Sequence, residues 1–360
     1  MIPITKPYLP SKDEYIQYIN GIWENEWLTN QGPLLNELEM QLKDYLSVDH
    51  LLFLGNGTIA IQLAIKALDL KGDIITTPYS YVATTSSIVW EGCNPVFVDI
   101  DKNTLNINPF LIEEAITPTT SAILATHVFG NPCDVDAIDK IAKKHNLKVI
   151  YDAAHAFGVT VKGKSIFEFG DISTTSFHAT KLFHTVEGGA VITNNPKLLR
   201  KIALMKGFGH TSSTTFEGVG INGKNSEFHA AMGLCNLKYI DEILRKRKEQ
   251  AEYYHFLFSN AKIRKQLIYP NCEYNYAYYP IVLESEELLI KVIRELENYY
   301  IYPRRYFYPS LNTLSYITSI NECKVSEQTA SGSLCLPLYH SLKKNEQDLI
   351  VRVILRVLNN

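Results

Sequence analysis

Between positions 152 and 189 the sequence carries an acid, a lysine and a glycine pair, in that order. The acid closes the apolar run Val149-Ile150-Tyr151-Asp152, and Ala153-Ala154-His155-Ala156 follows. Such a run predicts a buried strand whose carboxylate sits at its C-terminal edge, where open α/β sheets bind ligands. The lysine ends Ser176-Phe177-His178-Ala179-Thr180-Lys181, a short stretch of small, polar and aromatic residues. The glycines of Glu187-Gly188-Gly189-Ala190 let backbone pass close to another segment before Val191-Ile192-Thr193 resumes as a strand. Singly, each piece has an ordinary explanation: an aspartate at a strand end caps helices, and most lysines are solvated. Together and in this order they are the parts of a pyridoxal phosphate site. The lysine takes the cofactor aldehyde as a Schiff base, and the carboxylate pairs with the protonated pyridine nitrogen.

Positioning such groups requires a sheet and a phosphate cradle, and the preceding sequence supplies both signals. Leu51-Leu52-Phe53-Leu54 reads as a short strand, runs directly into Gly55-Asn56-Gly57-Thr58, and gives way to helical apolar spacing from Ile59 to Leu68. Strand, glycine turn and helix aim free backbone N–H groups and the positive helix end at an anion. Ile74 to Thr77 forms a strand ending at Pro78-Tyr79-Ser80-Tyr81-Val82-Ala83-Thr84, where an aromatic ring could cover a flat ligand. Val96–Ile100 and Ala122–His127 are further strands, with helices around residues 134–145 and near Lys201. Strands alternating with helices from about residue 50 to 195 predict a mostly parallel sheet covered on both faces.

Gly218-Val219-Gly220-Ile221-Asn222-Gly223 is a literal G-x-G-x-x-G, yet the residues before it, His210 to Thr215, are polar and not a buried strand. Without that context it reads as a flexible loop leading into a helix from about Ser226, not a dinucleotide site. A charged helix from about Leu237 to Phe258 follows. Tyr278 to Leu283 then reads as a strand whose Pro280 suits a sheet edge or a bulge. A helix from about Glu286 to Tyr299 and a terminal amphipathic helix bearing Leu349, Ile350, Val353, Ile354, Val357 and Leu358 complete the chain. The expected organisation is a large domain over residues 1–240 and a smaller C-terminal α+β domain over 241–360.

Composition sets the outer bounds. A length of 360 residues with 46% hydrophobic and 20% charged content builds a sizeable core. A net charge of −3 argues against nucleic acid or an anionic membrane as the main partner. The six cysteines include no C-x-x-C pair, so the usual zinc and thioredoxin spacings are missing and no metal is expected. The opening Met1-Ile2-Pro3-Ile4-Thr5-Lys6-Pro7 lacks the order of a signal peptide, and a cytoplasmic location is expected.

With these residues in view, the chain resembles the DegT/StrS-type sugar aminotransferases, fold-type I pyridoxal phosphate enzymes. The likeness runs nearly end to end through Thr29 to Pro33, Gly57-Thr58, Pro78 to Thr84, His127 to Pro132, Asp152 to Ala156, Ser176-Phe177 with Lys181, and Glu187-Gly188-Gly189. It continues through Gly220-Ile221-Asn222 with Ala230-Ala231, Tyr308-Pro309 and Leu336-Pro337-Leu338-Tyr339. The resemblance implies that Lys181 is the Schiff-base lysine and Asp152 the partner of the pyridine nitrogen. It places His155 against the cofactor ring, Tyr81 on the other face, and Gly57, Thr58 and Ser176 at the phosphate. Asn222 would reach the phosphate of a neighbouring subunit, which implies a homodimer with shared active sites. Thr29, Lys224 and Tyr308 are implied at the substrate. Lys224 and Gly223 depart from the arginine and aromatic that the family commonly carries there.

Within the family, Ile4 to Pro10 and Ser176 to Lys181 look most like enzymes that aminate a thymidine-diphosphate-linked 4-keto-6-deoxysugar with glutamate as donor. A role in surface polysaccharide (O-antigen) biosynthesis is the matching expectation. Amination at C3 of the 3-keto isomer stands as the alternative within the class. A cofactor-binding regulator without turnover stands as the alternative outside it, and a lysine-bearing chain does not resemble the dehydrase relatives, which carry histidine in that place.

Overall fold

The protein is described here by a computed structural model covering residues 1–317 and 322–359. Two helices open it, α1 (Lys12–Asn25) and α2 (Pro33–Leu46), the latter with proline in its first turn, where a missing N–H costs nothing. The alternating region follows: β1 (Leu51–Leu54), α3 (Gly57–Ala67), β2 (Asp73–Thr76), α4 (Val82–Trp90), β3 (Asn94–Phe97), β4 (Thr120–Thr126), α5 (Val135–His145), β5 (Lys148–Asp152), β6 (Ile172–Ser176), β7 (Gly189–Ile192) and α6 (Pro196–Met205). The seven strands form one sheet in the order β1-β7-β6-β5-β4-β2-β3. All neighbouring pairs are parallel except those of β7, which runs antiparallel to both β1 and β6. The mixed, mostly parallel α/β sheet expected from the sequence is the fold observed.

All strands but the edge strand β3 bury both faces, and successive side chains divide between two cores, as the two-residue pleat requires. On one side Phe53, Ile75, Ile123, Ala125, Val149, Tyr151 and Ala190 meet Leu35, Leu38 and Leu42 of α2 and Ile138 of α5. On the other, Leu52, Leu54, Ile74, Ala122, Leu124, Ile150 and Val191 meet Ala60, Ile61, Ala64 and Ile65 of α3. Register then sets the chemistry. Thr126 and Asp152, at the ends of β4 and β5, pair side by side with each other and with Thr174 in the middle of β6, and Ser176, Gly189 and Leu54 pair across the same edge.

Beyond α7 (Glu227–Leu237), helix α8 (Ile240–Leu257) runs from the first core at Ile240 into another at Ala251 and Tyr254. That core gathers β8 (Tyr279–Val282), α9 (Glu286–Asn298), β9 (Ser333–Leu336) and α11 (Lys344–Leu358), with Ile350, Val351, Val353 and Ile354 as the buried stripe of α11, while α10 (Lys324–Gly332) packs its Ala330 with Phe129 and Phe307. Ile2–Pro3 pairs with Ile301–Tyr302 and ties the chain's start to this core.

Three details differ from the sequence reading. Pro280 lies in the middle strand of a three-stranded sheet, not at an edge: β8 pairs with β9 on one side and Arg264–Lys265 on the other. The proline is tolerated because the pairing with the two-residue strand stops at Ile281, so no ladder bond on that side is forfeited. The strand expected over 96–100 begins at Asn94 and ends at Phe97. The 218–223 loop is tied down by backbone bonds: Ile221 N donates to Met205 O (2.8 Å), Gly223 N to Lys206 O (2.9 Å), and Gly55 N to Gly223 O (2.9 Å).

Candidate active site

The C-terminal edge of the sheet opens into a cavity of about 240 Å³. Gly57, Thr58, Tyr81, Asp152, His155, Ser176 and Lys181 all line it, so seven positions singled out in the sequence converge in space. Local structure explains each placement. The Asn56 side chain caps α3 by accepting from Ile59 N (2.9 Å), which leaves the N-terminal turn of the helix facing the cavity. A Cβ on Gly57 would sit 2.9 Å from Ser176 Cβ, and one on Gly189 would come within 2.5 Å of the Asn56 carbonyl carbon. These glycines therefore allow β6, β7 and the head of α3 to close on one point, a cradle of N–H groups and hydroxyls suited to a phosphate.

Asp152 is 6% exposed. Its Oδ2 accepts from Thr84 Oγ1 at 2.6 Å and its Oδ1 from Ala154 N at 3.1 Å. Burial pushes the carboxyl up, while the Thr84 and Ala154 donors and the Lys181 charge hold it back toward the ionised form. Behind Thr84 stands a chain of buried hydroxyls: Ser80 Oγ lies 2.8 Å from Thr84 Oγ1, and Thr126 Oγ1 lies 3.0 Å from Ser80 Oγ. Thr84 spends its only proton on the carboxylate, so in this contact it accepts from Ser80, and Ser80 in turn accepts from Thr126. The chain thus has one polarity, each hydroxyl donating toward Asp152.

Lys181 is brought to about 8, chiefly by burial, with Arg304 acting in the same direction and Asp152 and Tyr81 opposing. An amine so placed is partly free base near neutral pH and can accept and return a proton. His155 is pushed well below its ordinary value by burial and secondarily by the Lys181 charge, so it presents a neutral ring. That ring lies parallel to Phe307 (centroids 5.7 Å apart, 3° between planes) and packs against Tyr278 at 4.6 Å. Its buried Nδ1 has no hydrogen-bond partner. Tyr81, 52% exposed, stands at the entrance of α4.

Four expected site residues do not line this cavity. Thr29 Oγ1 donates to Asn225 O (3.3 Å), and Asn225 Nδ2 donates to Glu187 O (3.0 Å), one link from the rim. Asn222 is exposed on the 218–223 loop. Lys224 Nζ lies 5.0 Å from the Phe208 ring centroid, and Tyr308 lies under the Arg305 guanidinium at 3.4 Å. Conversely, sequence reasoning gave no role to Thr84, Glu187, Tyr278, Arg304, Tyr306 or Phe307, of which all but the buried Thr84 line the cavity. The aromatic and arginine run Arg304-Arg305-Tyr306-Phe307 was the available signal for the last group.

A lysine amine and a buried acid at the C-terminal edge of a mostly parallel sheet, beside an open helix N-terminus, define a pyridoxal phosphate enzyme of fold-type I. The chain belongs to the DegT/DnrJ/EryC1/StrS aminotransferase family, whose model matches residues 10–355. A dTDP-4-amino-4,6-dideoxy-D-glucose transaminase of Shigella dysenteriae is 44% identical to it over 358 residues, 98% of this chain and 97% of that protein. An Escherichia coli protein of the same name is 39% identical over 366 residues, covering 98% and 96%. Among solved structures, DesI in the presence of its TDP-sugar product superposes with a TM-score of 0.94 at 28% identity, covering 99% of this chain and 93% of that one. The protein is a pyridoxal-phosphate-dependent aminotransferase. The cavity fits that cofactor: it offers a cradle that a Cβ at Gly57 would fill, a buried acid, an amine held near neutrality and an unpartnered imidazole nitrogen. Among the described residues no helix is long and apolar enough to cross a membrane, and no cluster of His, Cys, Asp and Glu forms a metal site.

Proposed function

We propose that the protein transfers an amino group from L-glutamate to C4 of a dTDP-linked 4-keto-6-deoxyhexose, giving a dTDP-amino-dideoxy sugar for a surface polysaccharide such as O-antigen. The observation that carries the chemistry is the juxtaposition of Lys181 and Asp152 in one cavity. The names and near-complete coverage of the relatives support the substrate class. When bound, pyridoxal phosphate supplies the electron sink for moving an amino group between carbon skeletons. Gly57, Thr58 and Ser176 would hold its phosphate, Asp152 its ring nitrogen, His155 and Tyr81 its ring faces, and Lys181 Nζ its aldehyde carbon.

The protein's own part is proton handling and exclusion of water. Lys181 Nζ would take a proton from the donor's α-carbon and deliver one to the carbon that carried the cofactor's aldehyde, acting as base and then acid. Asp152, fixed by Thr84, would hold the cofactor's ring nitrogen in its protonated form, so that charge developing on the substrate could be drawn into the ring. Tyr278 and Phe307 close the side of the cavity behind His155 and keep it dry.

In this reading residues 1–240 carry the cofactor and residues 241–360 close over it. Two copies assemble with shared sites, Asn222 reaching into the partner's phosphate cradle and Thr29, Lys224 and Tyr308 meeting the nucleotide sugar. The exposure of Asn222 on a loop outside its own cavity supports that arrangement. The enzyme would work in the cytoplasm on soluble nucleotide sugars.

The test is incubation with glutamate and dTDP-4-keto-6-deoxyglucose, followed by mass and NMR analysis of the product. An amine at C4 supports the reading. Amination only of the 3-keto isomer would move the activity to C3, and binding of cofactor without amination of either would refute it. Activity that is unaffected by mixing Asn222→Ala subunits with inactive Lys181→Ala subunits would count against shared sites.

A further inference from the structure

Arg304 and Arg305 are neighbours with opposite fates. Arg305 is paired: its Nη2 donates to Glu286 Oε1 (2.6 Å) and to Ser331 O (3.1 Å), and its guanidinium covers Tyr308. The Arg304 backbone is fixed just as firmly, exchanging hydrogen bonds with Cys335 (Arg304 N to Cys335 O, 3.2 Å; Cys335 N to Arg304 O, 2.8 Å). Its side chain stacks on Tyr306, with the guanidinium carbon 4.7 Å from the ring centroid. Tyr306 is in turn held by Tyr79, whose hydroxyl donates to the Tyr306 carbonyl at 2.8 Å. Yet among the described residues no carboxylate pairs with the Arg304 guanidinium, although it lines the same cavity as Lys181.

The acids of that cavity are already occupied. Asp152 is held by Thr84 and Ala154 N, and Glu187 faces His178 Nε2 at 3.5 Å. The phosphate cradle belongs to the head of α3, which Gly57 and Ser176 form. A guanidinium preorganised by an aromatic face and left without a counter-ion in a substrate cavity is a receptor for an anion, because its planar fork binds carboxylate or phosphate through two parallel bonds.

We propose that Arg304 is an anion-recognition residue for the substrates, receiving an oxyanion group from the molecule that reacts at Lys181. The proposal rests on the aminotransferase reading above and deepens it. Two substrate anions have the required chemistry, the α-carboxylate of the amino donor and the diphosphate of the nucleotide sugar. Because the amino group is handed over in two half-reactions, each can be presented alone.

The experiment follows each half-reaction of the holoenzyme by the absorbance of the bound cofactor. The pyridoxal form is mixed with L-glutamate, and the pyridoxamine form with dTDP-4-keto-6-deoxyglucose. In R304Q the concentration for half-saturation should rise about tenfold or more, the loss expected for a charged hydrogen bond, while the limiting rate changes by less than about threefold. A shift confined to glutamate assigns the carboxylate, one confined to the nucleotide sugar assigns the diphosphate, and a shift in both means the two use the residue in turn. R304K, which keeps charge but not the fork, should recover part of the affinity and also serves if R304Q fails to fold. Half-saturation within about twofold of wild type in both arms, with cofactor content retained, overturns the proposal. Failure of the nucleotide-sugar arm in wild type would refute the proposed substrate, and the glutamate arm would still test Arg304.

Discussion

Replacing Thr84 by valine tests whether the buried hydroxyl chain sets the state of Asp152. The change keeps the side-chain shape and removes one proton donor, the one that reaches Asp152 Oδ2 at 2.6 Å. A bond of that length from a hydroxyl to a carboxylate is charge-assisted. Its loss weakens the ionised form by about 1.5–3 kcal/mol, which at 1.36 kcal/mol per unit raises the Asp152 pKa by about one to two units. Burial already pushes this acid up, and within the chain the remaining restraints are Ala154 N and the Lys181 charge. In the proposed mechanism the active form has Asp152 ionised. The acid limb of the rate profile must therefore move to higher pH by the same one to two units, and at a pH on that limb the rate falls about ten- to a hundredfold. The assay is the single-turnover rate with glutamate across pH, normalised to bound cofactor. Thr84→Ser should restore the wild-type profile, and Ser80→Ala should give a smaller displacement because Thr84 keeps its own donor. A Thr84→Val enzyme whose acid limb and rate lie within about twofold of wild type would refute the reasoning.

Four further outcomes follow from the geometry. Lys181→Ala should retain cofactor binding but lose turnover by at least about a thousandfold, and borohydride treatment should label position 181 in wild type and no peptide in the variant. With the Lys181 amine at about 8, a base that must be unprotonated, the glutamate half-reaction should speed up as pH rises and level off above that value; a rate flat from pH 6 to pH 9 would remove Lys181 as the base. Gly57→Ala places a Cβ 2.9 Å from Ser176 Cβ, an overpacking cost of about 1–3 kcal/mol that should appear as about tenfold or greater weakening of cofactor binding, read by titration of the apoenzyme. Glu227 is buried and accepts from Leu34 N (2.8 Å) and Leu35 N (3.0 Å) at the head of α2; Glu227→Ala should cost about 1–3 kcal/mol per stranded N–H, lowering the melting temperature while leaving half-saturation by glutamate unchanged.

What the sequence made legible was local. Asp152 and the Gly57-Thr58 turn follow apolar runs that announce strands, and Lys181 lies a short distance downstream; the pattern singled these out, the family resemblance added His155 and Ser176, and all of them line one cavity. Thr84 escaped because a threonine in the first turns of a helix looks like any other; only the level register of β4 and β5 and the turn into α4 bring it to the acid. Pro280 was expected at an edge or a bulge because the sequence does not reveal that the pairing with Arg264–Lys265 covers only Ile281 and Val282 and leaves the proline out. Arg304 and Phe307 escaped for a third reason: they stand more than a hundred positions from Lys181 and reach it only because β9 anchors Arg304 to the second core. The division has a physical meaning. In the proposed reading, groups that act on the cofactor are encoded beside the strands that hold them, where a shared fold keeps them fixed. The groups proposed to meet the substrate arrive from a distant stretch of the chain, Phe307 packing with Tyr79 and Phe129, and a change of the Arg304 side chain should alter recognition without disturbing the sheet. Arg304, bonded through its backbone to β9 and free at its guanidinium, is placed for such a role.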